Sequence, residues 1–342
     1  MRGRIFTAMA PRMRARALFL LGLVACLLTP AVGRNTAALL LRQTIALPTV
    51  HGGFNHMSVD AEHQRLFVPA PASKMLEVVD LRSGRLERGL PAERPTAALY
   101  VPQVNRLYLT SGRTLYIYHG DTLHRITKID LHTRLDQLRY DPSRNELYVG
   151  CMTEGKTGIA VIPVPEGGLA RELSLPDSPQ GFEVEENGAR IFVNVPDDNF
   201  VAVIDRHQGK VIHDWTLDGA GGNFPMALDQ KDRRLFIACR TPAEMLALDT
   251  RSGRIVARVP CVGGADDMSY DGAQRRIYIS GGEGFVSVIE QQDPDHYHLL
   301  QRVATAPGAA NSVFSGRAQS LYVAVHGRGG KAAEIRVYAA AQ

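Results

Sequence analysis

One short strand pattern recurs seven times along this chain, and it limits what the chain can fold into. The copies read Arg65-Leu66-Phe67-Val68, Arg106-Leu107-Tyr108-Leu109, Glu146-Leu147-Tyr148-Val149, Arg190-Ile191-Phe192-Val193, Arg234-Leu235-Phe236-Ile237, Arg276-Ile277-Tyr278-Ile279 and Ser320-Leu321-Tyr322-Val323. Their Leu or Ile positions, 66, 107, 147, 191, 235, 277 and 321, lie 40 to 44 residues apart. Aliphatic, β-branched and aromatic residues in such runs suit a strand buried on both faces. A fixed period of about 40–45 residues matches one four-stranded propeller blade. The expected fold is therefore all-β, a seven-bladed β-propeller.

Each repeat has the same internal order. A semi-apolar strand comes first, then a polar turn that usually opens with an acid: Asp60, Asp141, Glu185, Asp229 and Asp271. Asp suits that place because its side chain bonds nearby backbone in a turn. The core strand follows, then a third strand, predicted at 76–80, 115–118, 159–162, 201–205, 245–249, 286–290 and 335–338. Several third strands end in turns that carry Gly84, Gly209 or Gly253, which supply the positive φ of a tight hairpin. A fourth strand closes each blade, except that too few residues follow Tyr338 to make one. Residues 40–47 are strand-like and stand before the first full blade, so they are expected to supply the missing strand of the last. That closes the ring and leaves only short sheet edges.

The N-terminus reads as a targeting segment. Arg2, Arg4, Arg12, Arg14 and Arg16 precede an apolar run over 17–28, and Ala31-Val32-Gly33 gives small residues at a cleavage spacing. This is the pattern of a secretory signal peptide over 1–33, with the propeller domain at 34–342. The apolar run is short for a membrane span. Leu23-Val24-Ala25-Cys26 also resembles a lipobox, which would leave a lipid anchor at Cys26 on an outer-membrane lipoprotein. The expected location is periplasmic or extracellular, with no transmembrane span after cleavage.

Charge follows the same division. The whole chain carries a formal charge of +4, from 39 basic and 35 acidic residues. Five arginines and no acid lie in 1–33, so the remainder has a formal charge of −1. Nucleic-acid binding needs clustered positive charge to neutralise phosphates, and the mature chain has no such excess. Three cysteines remain there, Cys151, Cys239 and Cys261. An odd number in an oxidising compartment leaves at least one unpaired. Cys239 and Cys261 share a blade and could bridge, or all three could serve as small buried hydrophobes.

The repeated Leu/Ile–Phe/Tyr–Val/Ile strands, the Val-Ile-Asp…Gly hairpins and the export pattern resemble the bacterial YVTN-repeat, or YncE-like, seven-bladed propellers. The resemblance spans about residues 40–342, and Ile191-Phe192-Val193-Asn194 is the copy nearest to the family tetrapeptide. It implies an exported propeller used for binding or scaffolding; the expected partner is a protein or small-molecule ligand, and the expected state a monomer. Other propeller classes fit less well. WD-repeat and quinoprotein blades carry repeated tryptophans, and this chain has one, Trp215. Gluconolactonase-type propellers have six blades around a metal in the tunnel.

Chemistry is expected where the innermost strands open onto the loop face. Ten residues before each core Leu or Ile stand His56, Ala97, Gln137, Gly181, Pro225, Asp267 and Asn311. One position earlier stand Asn55, Thr96, Asp136, Gln180, Phe224, Asp266 and Ala310. Blades six, seven and one thus bring Asp267, Asn311 and His56 together once the ring closes, with Asp136 and Gln137 across the tunnel. A histidine, a carboxylate and an amide could hold a divalent metal or polarise a bound carbonyl. They could equally satisfy loop backbone or bind water. Two glycine-rich stretches, 219–223 with Asn223 and 280–284 with Glu283, are expected as loops on the same face. Arg113, Lys156, Arg240 and Lys331 occupy comparable loops and could attract an anion, or be solvated surface.

No His-Glu-x-x-His, Cys-x-x-Cys, Gly-x-Ser-x-Gly or haem-attachment motif occurs. No cofactor is evident beyond that candidate divalent metal. The sequence therefore supports a binding propeller first. A metal-dependent, lactonase-like hydrolase using His56, Asp267 and Asn311 is the alternative, and a partner subunit for electron transfer a third reading.

Overall fold

The structure, a computed structural model, describes residues 37–153, 155–165 and 167–341, together with Met1 and Gly3. The expected signal segment and the candidate lipid anchor at Cys26 otherwise lie outside the described residues. Within 37–341 the chain forms seven antiparallel four-stranded sheets. Blade 1 is Ser58–Asp60, Arg65–Ala70, Met75–Asp80 and Arg85–Pro91, in that order from the axis outward. Blades 2 to 6 repeat the plan. The innermost strands neighbour one another around a tunnel, and that of blade 7, Ser312–Ser315, meets that of blade 1. No helix among the described residues is long and apolar enough to cross a membrane.

A two-letter code in the core strand explains why the sheets stack. Successive strand residues point to opposite faces. The seven Leu or Ile positions are all 0% exposed, and so are the aromatics after them, apart from Tyr322 at 4%. The aliphatic faces the preceding blade and the aromatic faces the next. Phe67 packs with Leu107 and Leu109, Tyr108 with Leu147 and Val149, and Tyr148 with Ile191 and Val193. Phe192 meets Leu235, Phe236 meets Ile277, and Tyr278 meets Leu321. Tyr322 of blade 7 then packs with Leu66 and Val68 of blade 1, and the ring is complete.

Closure uses the N-terminal strand, as the truncated last repeat requires. Leu39–Leu47 pairs antiparallel with Ala333–Ala340, with Leu47 opposite Ala333, Ile45 opposite Ile335 and Leu39 opposite Ala340. Leu39, Ile45 and Leu47 are 2%, 1% and 0% exposed, so the strand is anchored by side chains as well as by its ladder. The turn acids behave as expected. Asp60, Asp141, Asp229 and Asp271 each accept a backbone N–H from the following turn. Gly84 and Gly253 have φ of 65° and 72°.

One contact between blades is a fully buried ion pair. Arg206, at 1% exposure, donates to the Asp141 carboxylate and to the carbonyls of Glu185 and Gly188. Burial would raise the Asp141 carboxyl, but Ser143 and Arg206 outweigh it and hold it below the usual carboxylate range. Replacing Arg206 by Met should cost about 3–5 kcal/mol, because the remaining charge stays buried without a partner. Adding Asp141→Asn should recover part of that loss. Denaturant midpoints at unchanged slope measure both effects, and equal midpoints for wild type and Arg206→Met would contradict the account.

Two local expectations are corrected. Gly221–Asp229 is a strand, so most of the stretch 219–223 is ladder rather than loop, whereas 282–284 form a turn after the strand Arg276–Gly281, as expected. Cys151, Cys239 and Cys261 are all free thiols. Cys239 points into the interface of blades 4 and 5, while Cys261 packs on that of blades 5 and 6. They therefore lie on opposite faces of one sheet and do not bridge. Burial pushes Cys151 up to about 11 and the other two up to about 12. Thiols held so far above neutrality are unreactive.

Candidate functional site

The tunnel mouth is shaped by β-bulges. The inner strands of blades 2, 3, 5 and 6 shift register at Pro95/Ala97, Leu135/Leu138, Asn223/Met226 and Ala265/Asp267. A bulge twists the strand and re-aims side chains. In blade 6 it lets consecutive residues, Asp266 and Asp267, reach the same partner. In blade 3 Asp136 and Gln137 both lie within the shift. Blade 1 enters by a single bridge: the His56 N–H donates to the Thr96 carbonyl at 3.1 Å, and Ala98 N–H donates back to the His56 carbonyl at 3.0 Å.

His56, Asp267 and Asn311 converge. His56 Nδ1 donates to Asp267 Oδ1 at 2.7 Å, and Nε2 faces Asp136 Oδ1 across the tunnel at 3.8 Å. The other Asp267 oxygen accepts the Ser312 N–H at 3.0 Å and Asn311 Nδ2 at 3.3 Å. Asn311 Nδ2 also reaches Asp266 Oδ2 at 3.0 Å. Arg240 closes the chain of contacts, with Nη2 on Asp266 Oδ1 at 2.9 Å and Nε on the Ala265 carbonyl. Its guanidinium lies 3.5 Å from the centre of the Phe224 ring, a close cation–π contact. Two cations and three carboxylates are thus linked across the mouth, with Asn311 bridging Asp266 and Asp267.

Electrostatics fix the protonation of this set. Burial alone would push the His56 imidazole down. The charge and hydrogen bond of Asp267, with Asp136 and Asp266 behind it, outweigh burial and lift it to about 10. Burial raises the Asp136 carboxyl, while His56 and Arg134 pull it back. Asp266 is also raised, by burial and by Asp267, against the pull of His56 and Arg240. At neutral pH His56 is an imidazolium with a proton on each nitrogen. It has no lone pair with which to accept a proton from a substrate.

The same state bears on metal binding. A metal ligates neutral imidazole, so it would have to displace the proton that these carboxylates hold. Among the described residues no group of three or more His, Cys, Asp or Glu is placed to hold a metal ion. His56 and Asn311 both hydrogen-bond to Asp267.

The remaining candidates divide. Gln137 is 6% exposed beside Asp136 at the mouth. Asn55 is half-buried; its Nδ2 reaches the Pro95 carbonyl at 3.4 Å, and it borders an open cleft. Asn223 does not face the mouth. It is fully buried between blades 4 and 5, donating to Asn194 Oδ1 at 2.9 Å and the Phe200 carbonyl at 3.0 Å. Glu283 lies at the rim of blade 6, where it accepts the Gly263 N–H at 3.0 Å and Arg302 Nη2 at 3.2 Å. Arg240 and Ser312 belong to the network and were not singled out for it by sequence position. Arg94 and Arg134, on the wall of the cleft beside Asn55, were also missed.

Fold and site together define a seven-bladed β-propeller whose tunnel mouth is spanned by a partly buried ionic network. No protein-family model matches the chain, and no curated protein matches it. Among solved structures it is similar to a chain of Kuenenia stuttgartiensis hydrazine synthase, with a TM-score of 0.70 and 16% identity. The match covers 81% of this chain and 94% of that one. At that identity the likeness shows the shared propeller fold and nothing of the chemistry.

Proposed function

We infer that the chain is an exported, YncE-like binding propeller that takes a ligand on its loop face and does no chemistry on it. The observation that carries this reading is the state of His56. It is held as an imidazolium between carboxylates at 2.7 and 3.8 Å. A group so placed organises the mouth rather than shuttling protons. The neighbouring cleft, of about 410 Å³, supplies room for a small molecule on the same face.

The convergence of His56, Asp267 and Asn311 is what favours the alternative, a metal-dependent hydrolase of lactonase type. Turnover separates the two. Protein purified from a secreting host, with its N-terminus read by intact mass, is assayed on lactones and aryl esters with EDTA, Ca²⁺, Mg²⁺ or Zn²⁺. The expected rate is that of the buffer under every condition. Metal-dependent turnover that is lost in His56→Gln would establish the hydrolase instead.

A further inference from the structure

We propose that the cleft between blades 1, 2 and 3 binds a small organic anion carrying two or more carboxylate or phosphate groups. Three arginines, Arg94, Arg113 and Arg134, line it, together with Asn55 and an apolar wall that includes Pro71 and Pro95. No acid is among the described lining residues. Arg94 and Arg134 occupy one position of the repeat, thirteen residues before core residues Leu107 and Leu147. The other five blades have Gly53, Ser178, Gly222, Gly264 and Gly308 there. Guanidinium groups therefore stand only where blades 2 and 3 adjoin, at a place where the fold otherwise uses small residues.

The backbone of these arginines is held by hydrogen bonds, while all three side chains are exposed. Arg94 N–H donates to Ser111 Oγ at 3.0 Å, and its carbonyl accepts the Gly112 N–H at 3.1 Å. Arg134 N–H donates to Thr153 Oγ1 at 2.7 Å, and its carbonyl accepts the Met152 N–H at 2.8 Å. Among the described residues, neither guanidinium has a hydrogen bond or an ion pair. Arg113 is partly engaged, with Nη2 on His132 Nδ1 at 2.9 Å and Nε 3.6 Å from Asp130 Oδ1. Elsewhere in the fold several arginines are matched with acids, as in Arg65–Asp60, Arg190–Glu185 and Arg240–Asp266. A fixed backbone thus brings three exposed guanidinium forks to one cleft, where they can meet carboxylate or phosphate oxygens.

Size and charge select the class. A cleft of about 410 Å³ is that of a small molecule, and the prolines offer apolar contact to a carbon frame. Three cations at one cleft, on a chain whose residues 34–342 have a formal charge of −1, do not make the extended basic track that nucleic acid needs.

This site rests on the binding reading above and names its ligand. The probes are citrate and inorganic pyrophosphate, titrated calorimetrically at constant ionic strength. Citrate is expected to bind. Arg94→Gln and Arg134→Gln should each weaken it at least about tenfold, and the double variant should abolish it. Arg134→Lys should also weaken it, since an ammonium cannot form the two-pronged contact. Arg85→Gln, on the outer strand of blade 1, should bind as wild type does, and the double variant should melt within about 2 °C of wild type. Citrate ahead of pyrophosphate points to an organic acid, and the reverse to a phosphorylated compound; both support the site. Failure of both probes, or binding unchanged in the double variant, overturns it. So does a single-stranded oligonucleotide that binds more tightly than citrate and displaces it. Metal-dependent turnover with citrate binding intact would sink the non-catalytic reading alone and leave this site standing.

Discussion

Replacing His56 by Gln should lower the melting temperature by roughly 5–10 °C at neutral pH. The substitution removes the cation between Asp267 and Asp136 and leaves Asp266 nearby, so three carboxylates share one partly enclosed space, with Arg240 on Asp266 and the more distant Arg134 and Arg139 near Asp136 to offset them. Breaking a buried pair by deleting one partner costs about 3–5 kcal/mol. A domain of this size loses about 2 °C per kcal/mol. The pH dependence is the sharper test. The His56 pKa is raised from 6.5 to about 10 on folding, so its contribution is fully present below pH 6.5. It declines above that and is lost as pH rises through about 10. The wild-type melting temperature should therefore fall across that window, and the variant should lose most of that slope. Asp136 and Asp266 are raised as well, so the variant should regain stability on acidification as these carboxylates take up protons. A variant with the wild-type alkaline decline would contradict this assignment.

Removing residues 37–48 should have a still larger effect. The deleted strand takes Leu39, Ile45 and Leu47 out of the core, at about 1.5–3 kcal/mol for each buried aliphatic. It also strips the ladder from Ala333–Ala340. Domains are stable by only about 5–15 kcal/mol in total, so most of the margin goes. The expected product melts more than about 15 °C lower, and its bare strand edge promotes association through β-pairing. Calorimetry and size-exclusion chromatography read the two consequences. A monodisperse protein with an unchanged melting temperature would show that the ring does not depend on this clasp.

The propeller was legible because its code is local and repeated. Each core strand needs an aliphatic facing one neighbour and an aromatic facing the other, and seven copies of that pair survive in the sequence. Part of the site was legible for the same reason: equal repeat positions on adjacent blades brought His56, Asp267 and Asn311 together. Bulges limited the rest. A one-residue shift at Ala265/Asp267 recruits Asp266, and the shift at Asn223/Met226 accompanies an Asn223 buried against blade 4. Neither bulge leaves a motif. Arg240 was noted for its charge, but its partner lies on the next blade and cannot be read from spacing. Arg94 and Arg134 lay a few residues outside the positions compared, although glycine at most equivalent places marks them.

His56 belongs to blade 1, Asp267 to blade 6 and Asp136 to blade 3, and three points on a rim define a circle. The imidazolium acts as a spoke at the mouth of the bore, tying blades that share no sheet and do not all touch. Protonation at one ring thus helps to set a dimension of the whole wheel. Where the spoke is discharged in alkali, Nδ1–H can still donate to Asp267, but the charge attraction to Asp136 across the bore is lost.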